Sequence, residues 1–298
     1  MRAEAVSHGA VSQGIARLRD GRTLGYSERG ARGGSPVLDF HGNPGSRLSH
    51  WGEDPVIRAA GVRLISVDRP GIGLSAPAHG RRVVDWAADV AGLADALGLE
   101  RFAVLGHSVG GAYAAACAHG LPDRVTAAGL VSPIIPLDSR QAFGELGKSG
   151  QWALARDRPH LMRVSIRAVF LLARAAPSFA RRVFGSRSTP AEKEISARPE
   201  VMARALASAR ESTRQGALGL VEDMRVALRP WGFDPAEIRI PVFVWQGDRD
   251  SSIVEGWGEW WARTVPNATL TRCAGEGHLL IEERIGEILA TLASASDQ

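Results

Sequence analysis

The chain has two cysteines, Cys117 and Cys273, among 298 residues. That excludes a disulfide framework and fits a reducing, cytoplasmic setting. Cys117 falls in a run of small residues and reads as a buried apolar side chain. Lysine is nearly missing, at Lys148 and Lys193 alone, so arginine carries the positive charge. A net charge of +4 and a pI near 9.6 raise the question of nucleic acid. The arginines are scattered, however, and no basic run is interleaved with aromatics, so no nucleic-acid partner is expected. No apolar run reaches the length of a membrane span. The first residues, MRAEAVSHGAVSQG, hold no hydrophobic signal core. Neither a membrane partner nor export is therefore expected. No Cys/His group has zinc spacing, so no metal is expected.

What is present is an ordinary globular composition, 45% apolar and 23% charged, long enough to bury a large core. Residues 1–13 are small and polar and read as poorly ordered. IARLRDGRTLGYSERG reads as a hairpin around a two-residue Asp20-Gly21 turn. Apolar runs at 35–40, 61–68, 102–105, 124–133, 240–246 and 268–273 read as strands. Stretches with helical spacing separate them, at 83–99, after Ser108, at 253–265 and after His278. Alternation of this kind predicts an α/β fold: a mostly parallel, eight-stranded sheet flanked by helices, with an antiparallel start. The rhythm stops near Ile134. Residues 134–230 show no convincing strand and carry prolines at 136, 159, 177, 190 and 199. They read as a helical cap (134–230) inserted between a first core segment (1–133) and a second (231–298).

In open α/β sheets the working residues lie on loops beyond the C-terminal strand ends. The loop after 102–105 is Gly106-His107-Ser108-Val109-Gly110, a serine at a sharp strand-to-helix turn with glycines two before and two after it. The loop after 240–246 holds Asp248 and Asp250; that after 268–273 holds His278; that after 35–40 holds His41, Gly42 and Asn43.

A serine hydroxyl is a poor nucleophile near neutral pH. It needs a histidine to take its proton and return it to the leaving group. A carboxylate must hold that imidazole in one tautomer, and fixed N–H groups must receive the oxyanion. Of the histidines after Ser108, His119 lies three turns along the same helix and His160 lies in the insertion. That leaves His278 as the base. Asp250, deeper in its loop than Asp248, is the expected acid, and Asp248 is expected to serve turn geometry; Asp138 is a distant third. The Val109 amide supplies one oxyanion donor. Pro44 has no N–H, which leaves Asn43 for the other. His41, Gly42 and His107 are candidate substrate contacts.

These stretches resemble a known family. HGNPGSR (41–47) is similar to an HGxPG oxyanion loop, and DRPGIGLS (68–75) to the DxxGxGxS segment after the next strand. GHSVGG (106–111) matches a nucleophile elbow. GDRDSSIV (247–254) is similar to a GxxDxxVP acid loop, though without its proline. GHLLIEE (277–283) is similar to a histidine loop. Over roughly 14–293 the chain resembles a capped member of the α/β-hydrolase superfamily.

The resemblance implies a cofactor-independent serine hydrolase acting on a small-molecule ester, thioester or lactone. Two alternatives use the same triad: a carbon–carbon bond hydrolase, and an amide hydrolase resembling proline iminopeptidases, whose elbow resembles GGSWGS instead. A non-enzymatic alternative is a small-molecule receptor on the same fold. Nothing in the sequence decides whether the chain forms a homodimer. Asp68 reads as a turn organiser, Trp257, Trp260 and Trp261 as packing, and Met162, Phe170, Leu171 and Leu172 as an apolar cap lining. The eight arginines of 156–187, with Asp157 as the one acid, read as a solvated face.

Overall fold

A computed structural model of the protein describes residues 3–8, 11–137, 150–175 and 189–296. Among them a nine-stranded sheet forms the middle layer. Its strands are β1 (Ala3–His8), β2 (Val11–Arg17), β3 (Thr23–Gly30), β4 (Ser35–Phe40), β5 (Val62–Val67), β6 (Phe102–His107), β7 (Val125–Val131), β8 (Val242–Gly247) and β9 (Ala268–Cys273), in the spatial order 1-2-3-5-4-6-7-8-9. β1 to β3 are antiparallel, β3 is antiparallel to β5, and the rest run parallel.

Eight of these strands are the ones legible as apolar runs or a hairpin. The ninth, β1, lies in the segment expected to be poorly ordered. It pairs with β2 from Ala3↔Ala16 to His8↔Val11. Pairing satisfies the backbone groups of β2, which would otherwise be an open sheet edge, and that gain does not depend on bulky side chains. The hairpin is also one residue longer than expected. Leu18 and Arg22 still pair, and Gly21 takes φ +86°, the three-residue loop with a glycine bulge.

Side chains alternate across each strand. Leu38, Phe40, Ile65, Val67, Phe102 and Val104 point to one face, under α2 (Trp86–Leu97) and α3 (Gly110–Gly120). Val37, Val62, Leu64, Ala103 and Leu105 point to the other, under α1 (Asp54–Ala59) and a long C-terminal helix. Between β7 and β8 the described α-helices are α4 (Gly150–Asp157), α5 (Pro159–Ala175), α6 (Pro190–Ala197), α7 (Pro199–Ser212) and α8 (Leu218–Ala227). The chain closes with α9 (Trp257–Thr264) and α10 (Leu280–Ser296). Trp257 and Trp261 are buried, and Trp261 donates to the Ile134 carbonyl at 3.1 Å, so this cluster is packing as expected. Met162 is buried in the larger core. The side chains of Phe170, Leu171 and Leu172, and Asp138 as a whole, lie outside the described residues. No described helix is long and apolar enough to cross a membrane.

Candidate active site

Ser108 sits at the turn between β6 and α3 with φ +56°, a left-handed conformation that costs a non-glycine residue about 1–2 kcal/mol. Two flanking glycines make the turn feasible. A Cβ at Gly106 would lie 2.2 Å from the Gly110 carbonyl, and one at Gly110 would lie 2.0 Å from the Phe40 carbonyl. The Ser108 N–H donates to Val131 O at 2.8 Å. Its hydroxyl makes no hydrogen bond among the described residues.

The loops after β8 and β9 bring Asp250 and His278 together, Nδ1 to Oδ2, at 3.0 Å. Asp250 also accepts the Ser252 and Ile253 amides at 2.8 Å each. Burial works against the Asp250 charge, but the His278 ring and these amides outweigh it, and the carboxyl is held down to about 2. Burial likewise opposes a charged His278, but the Asp250 carboxylate outweighs it and raises the imidazole above its ordinary value. With Nδ1 donating to Asp250, Nε2 is the basic nitrogen, and it has no partner among the described residues. The His278 ring lies against the His107 ring, centroids 4.6 Å apart, so His278 stands beside the Ser108 turn. Asp248 accepts the Gly275 amide at 2.7 Å, a tie between the two loops and the geometric duty expected of it.

On the opposite side, the Gly42 carbonyl is held by Arg69 Nη2 at 3.1 Å and by His41 Nδ1 at 2.8 Å. In a trans peptide the next N–H points the other way, so the Asn43 amide faces away from Arg69. Neither it nor the Val109 amide, at the start of α3, bonds another described residue. Free N–H groups at a helix start favour negative charge. Gly42 closes onto the serine turn, since a Cβ there would lie 3.5 Å from Ser108 Cβ.

His41 and His107 have other occupations than contact with a substrate. Both ring nitrogens of His41 are engaged, with Gly42 O and the Arg69 amide. His107 donates Nε2 to the His278 carbonyl at 2.9 Å. Burial, reinforced by neighbouring Arg69 for the first and by His278 for the second, depresses both to about 3, so they are neutral.

Three carboxylates of the insertion grip the core loops. Asp223 of α8 accepts from Arg69, Arg81, Tyr113 and Asn43. Glu211 of α7 shares Arg47 with Asp68. Glu192 of α6 accepts the His278 amide at 2.7 Å. Asp68 itself takes the Leu74 amide at 2.9 Å, organising its turn as expected. None of the three insertion carboxylates is legible as a site residue, because each reaches its core-loop partners across more than 50 positions. Thr189-Pro190-Ala191-Glu192 does carry a readable capping-box pattern, and the box forms. Among the described residues no group of three or more His, Cys, Asp or Glu could hold a metal ion.

A family model of the α/β-hydrolase fold matches residues 35–285. The chain belongs to the α/β-hydrolase fold family. This α/β-hydrolase is 37% identical over 126 residues to a non-heme chloroperoxidase of Streptomyces lividans, covering 42% of the chain and 46% of that protein. It is 34% identical over 145 residues to a Pseudomonas putida 2-hydroxy-6-oxononadienedioate/2-hydroxy-6-oxononatrienedioate hydrolase, covering 43% and 50%. The chain thus spans at most about half the length of these relatives. A putative acyltransferase from Salmonella enterica shares its fold with a TM-score of 0.74 at 21% identity, covering 99% and 98% of the two chains.

Proposed function

We propose that this α/β-hydrolase cleaves an ester, thioester or lactone of a small-to-medium apolar compound through an acyl-enzyme, as a carboxylester hydrolase. The observation that carries the reading is the part-buried Asp250–His278 pair at 3.0 Å, whose imidazole lies against the ring of His107, the neighbour of a serine held in the left-handed region. Ser108 Oγ attacks the carbonyl carbon and passes its proton to His278 Nε2. Asp250 stabilises the imidazolium. The Asn43 and Val109 amides receive the oxyanion. As the intermediate collapses, His278 gives the proton to the departing alkoxide or thiolate. Water, deprotonated by His278, then attacks the acyl carbon and frees Ser108. The insertion limits substrate size, as a cap.

Similarity to the Pseudomonas putida hydrolase favours a second reading, carbon–carbon bond cleavage on the same residues. The test is hydrolysis of p-nitrophenyl esters of graded chain length, with intact-mass detection of a fluorophosphonate adduct. Turnover, single labelling at Ser108 and a dead Ser108→Ala variant are expected. Labelling without ester turnover transfers support to the second reading. Absence of both overturns the catalytic assignment.

A further inference from the structure

Asp250 and His278 sit on separate loops, and their geometry is only as good as the registry between those loops. Near the strand ends the core holds that registry itself. Arg249 N donates to Glu276 O at 2.9 Å, and a Cβ at Gly247 would lie 2.2 Å from the Glu276 carbonyl. Further out, where the pair stands, a side chain of the insertion spans the two loops. Glu192 Oε1 accepts the His278 amide at 2.7 Å and the Ser251 amide at 3.3 Å. Its Oε2 accepts the Ser251 hydroxyl at 2.7 Å and the Thr189 amide at 2.7 Å. One carboxylate therefore bonds the residue next to the acid and the backbone of the base. It lies so close to the base loop that a Cβ at Gly277 would fall 2.6 Å from Glu192 Cγ. Glu192 is 2% exposed and makes no ion pair with an arginine or lysine among the described residues. Its hydrogen-bond donors, and His278 when protonated, balance its charge.

We infer that Glu192 is a positioning residue for the proposed base: reaching in from the insertion, it locks the His278 loop to the Asp250 loop and sets a second carboxylate beside the imidazole. The inference rests on the proposed role of His278. Charged and titratable groups face His278 from three sides: Asp250 on the acid loop, His107 on the serine turn and Glu192 on α6. His107 is neutral. Burial alone would raise the Glu192 carboxyl, but its donors outweigh that and hold it below the ordinary glutamate range. It is charged wherever His278 titrates, and it favours the imidazolium. Removing the charge lowers the pH at which His278 loses its proton. Removing the carbonyl-type acceptor as well frees the loop.

The test compares Glu192→Gln, Glu192→Ala and Thr189→Ala. His278 is titrated by NMR of ring-labelled histidine, its signal identified by its loss in His278→Ala. The pH profile of p-nitrophenyl butyrate hydrolysis is measured in parallel. Both Glu192 variants should shift the His278 midpoint and the acid limb of kcat/KM to lower pH. Glu192→Ala should lose about tenfold in kcat with KM little changed. Glu192→Gln, whose amide oxygen still accepts the His278 N–H, should recover much of that plateau. Thr189→Ala weakens the helix cap but keeps both loop contacts, and should stay within twofold of wild type in kcat. An unmoved His278 midpoint in Glu192→Gln overturns the inference, as does a Thr189→Ala variant as impaired as Glu192→Ala. Hydrolysis that survives His278→Ala overturns the proposed function instead. The ring titration needs no substrate, so the two failures are distinguishable.

Discussion

His107 Nε2 donates to the main-chain carbonyl of His278 at 2.9 Å, and the two imidazoles lie 4.6 Å apart. The residue before the serine thus fixes the backbone of the proposed base. Replacing the ring by one that packs but cannot donate leaves a part-buried carbonyl without this donor. His107→Phe should cost about 1–3 kcal/mol of stability, read by urea denaturation. With His107 neutral down to about 3, wild-type activity should show no second histidine ionisation between pH 4 and 6 in its pH–rate profile.

In the proposed mechanism the Asp250–His278 pair sets the pH dependence of rate. The base works as neutral imidazole, so kcat/KM should rise with pH through an ionisation above the ordinary histidine value of 6.5. Asp250→Asn removes the group that raises that ionisation. The acid limb should move to lower pH while the plateau falls by about ten-thousandfold.

Stability gives an independent reading of the same pair. The raised His278 contributes stability fully below 6.5, lost as pH rises through its folded value. The depressed Asp250 contributes above 3.8, lost as pH falls through about 2. Asp250→Asn should therefore destabilise most between pH 4 and 6.5, as followed by denaturation at several pH values.

Asp223 is fully buried between Arg69, Arg81, Tyr113 and Asn43. Deleting it strands two guanidinium groups away from water. Asp223→Ala should cost about 3–5 kcal/mol, seen as a lowered denaturation midpoint. Arg69 also holds the His41 and Gly42 carbonyls, so Asp223→Asn should lower kcat even where the fold survives.

Ser108→Gly relieves the left-handed backbone. The gain is offset in part by the freer unfolded glycine, for a net stabilisation of about 1 kcal/mol. Hydrolysis should be lost. Calorimetry and an ester assay on one preparation check both.

Much of this site was legible because its groups are announced locally. Gly106 and Gly110 announce the serine turn, the glycine three before Asp250 announces the acid loop, and the missing N–H of Pro44 points to Asn43. Arg69, Asp223 and Glu192 were not legible. An arginine after a strand-end aspartate and a carboxylate on an amphipathic helix are common, and only long-range folding joins them to the active-site loops. β1 escaped for a different reason. Alternating Ala, Val and Ser carry little hydrophobic signal, and its pairing is a property of the backbone of β2.

The grip of the insertion carboxylates on the core loops limits how the molecule can be re-engineered. Glu192 and Asp223 belong by sequence to the segment proposed to set substrate size, yet their hydrogen bonds end on the loops of His278 and Asn43. A chimera that takes its insertion from a relative would import a new pocket and at the same time discard two struts of the old scaffold. On the proposed roles of the insertion and of Glu192, selectivity and turnover are not separable modules in this chain. Productive grafts are those that keep a carboxylate at these two positions.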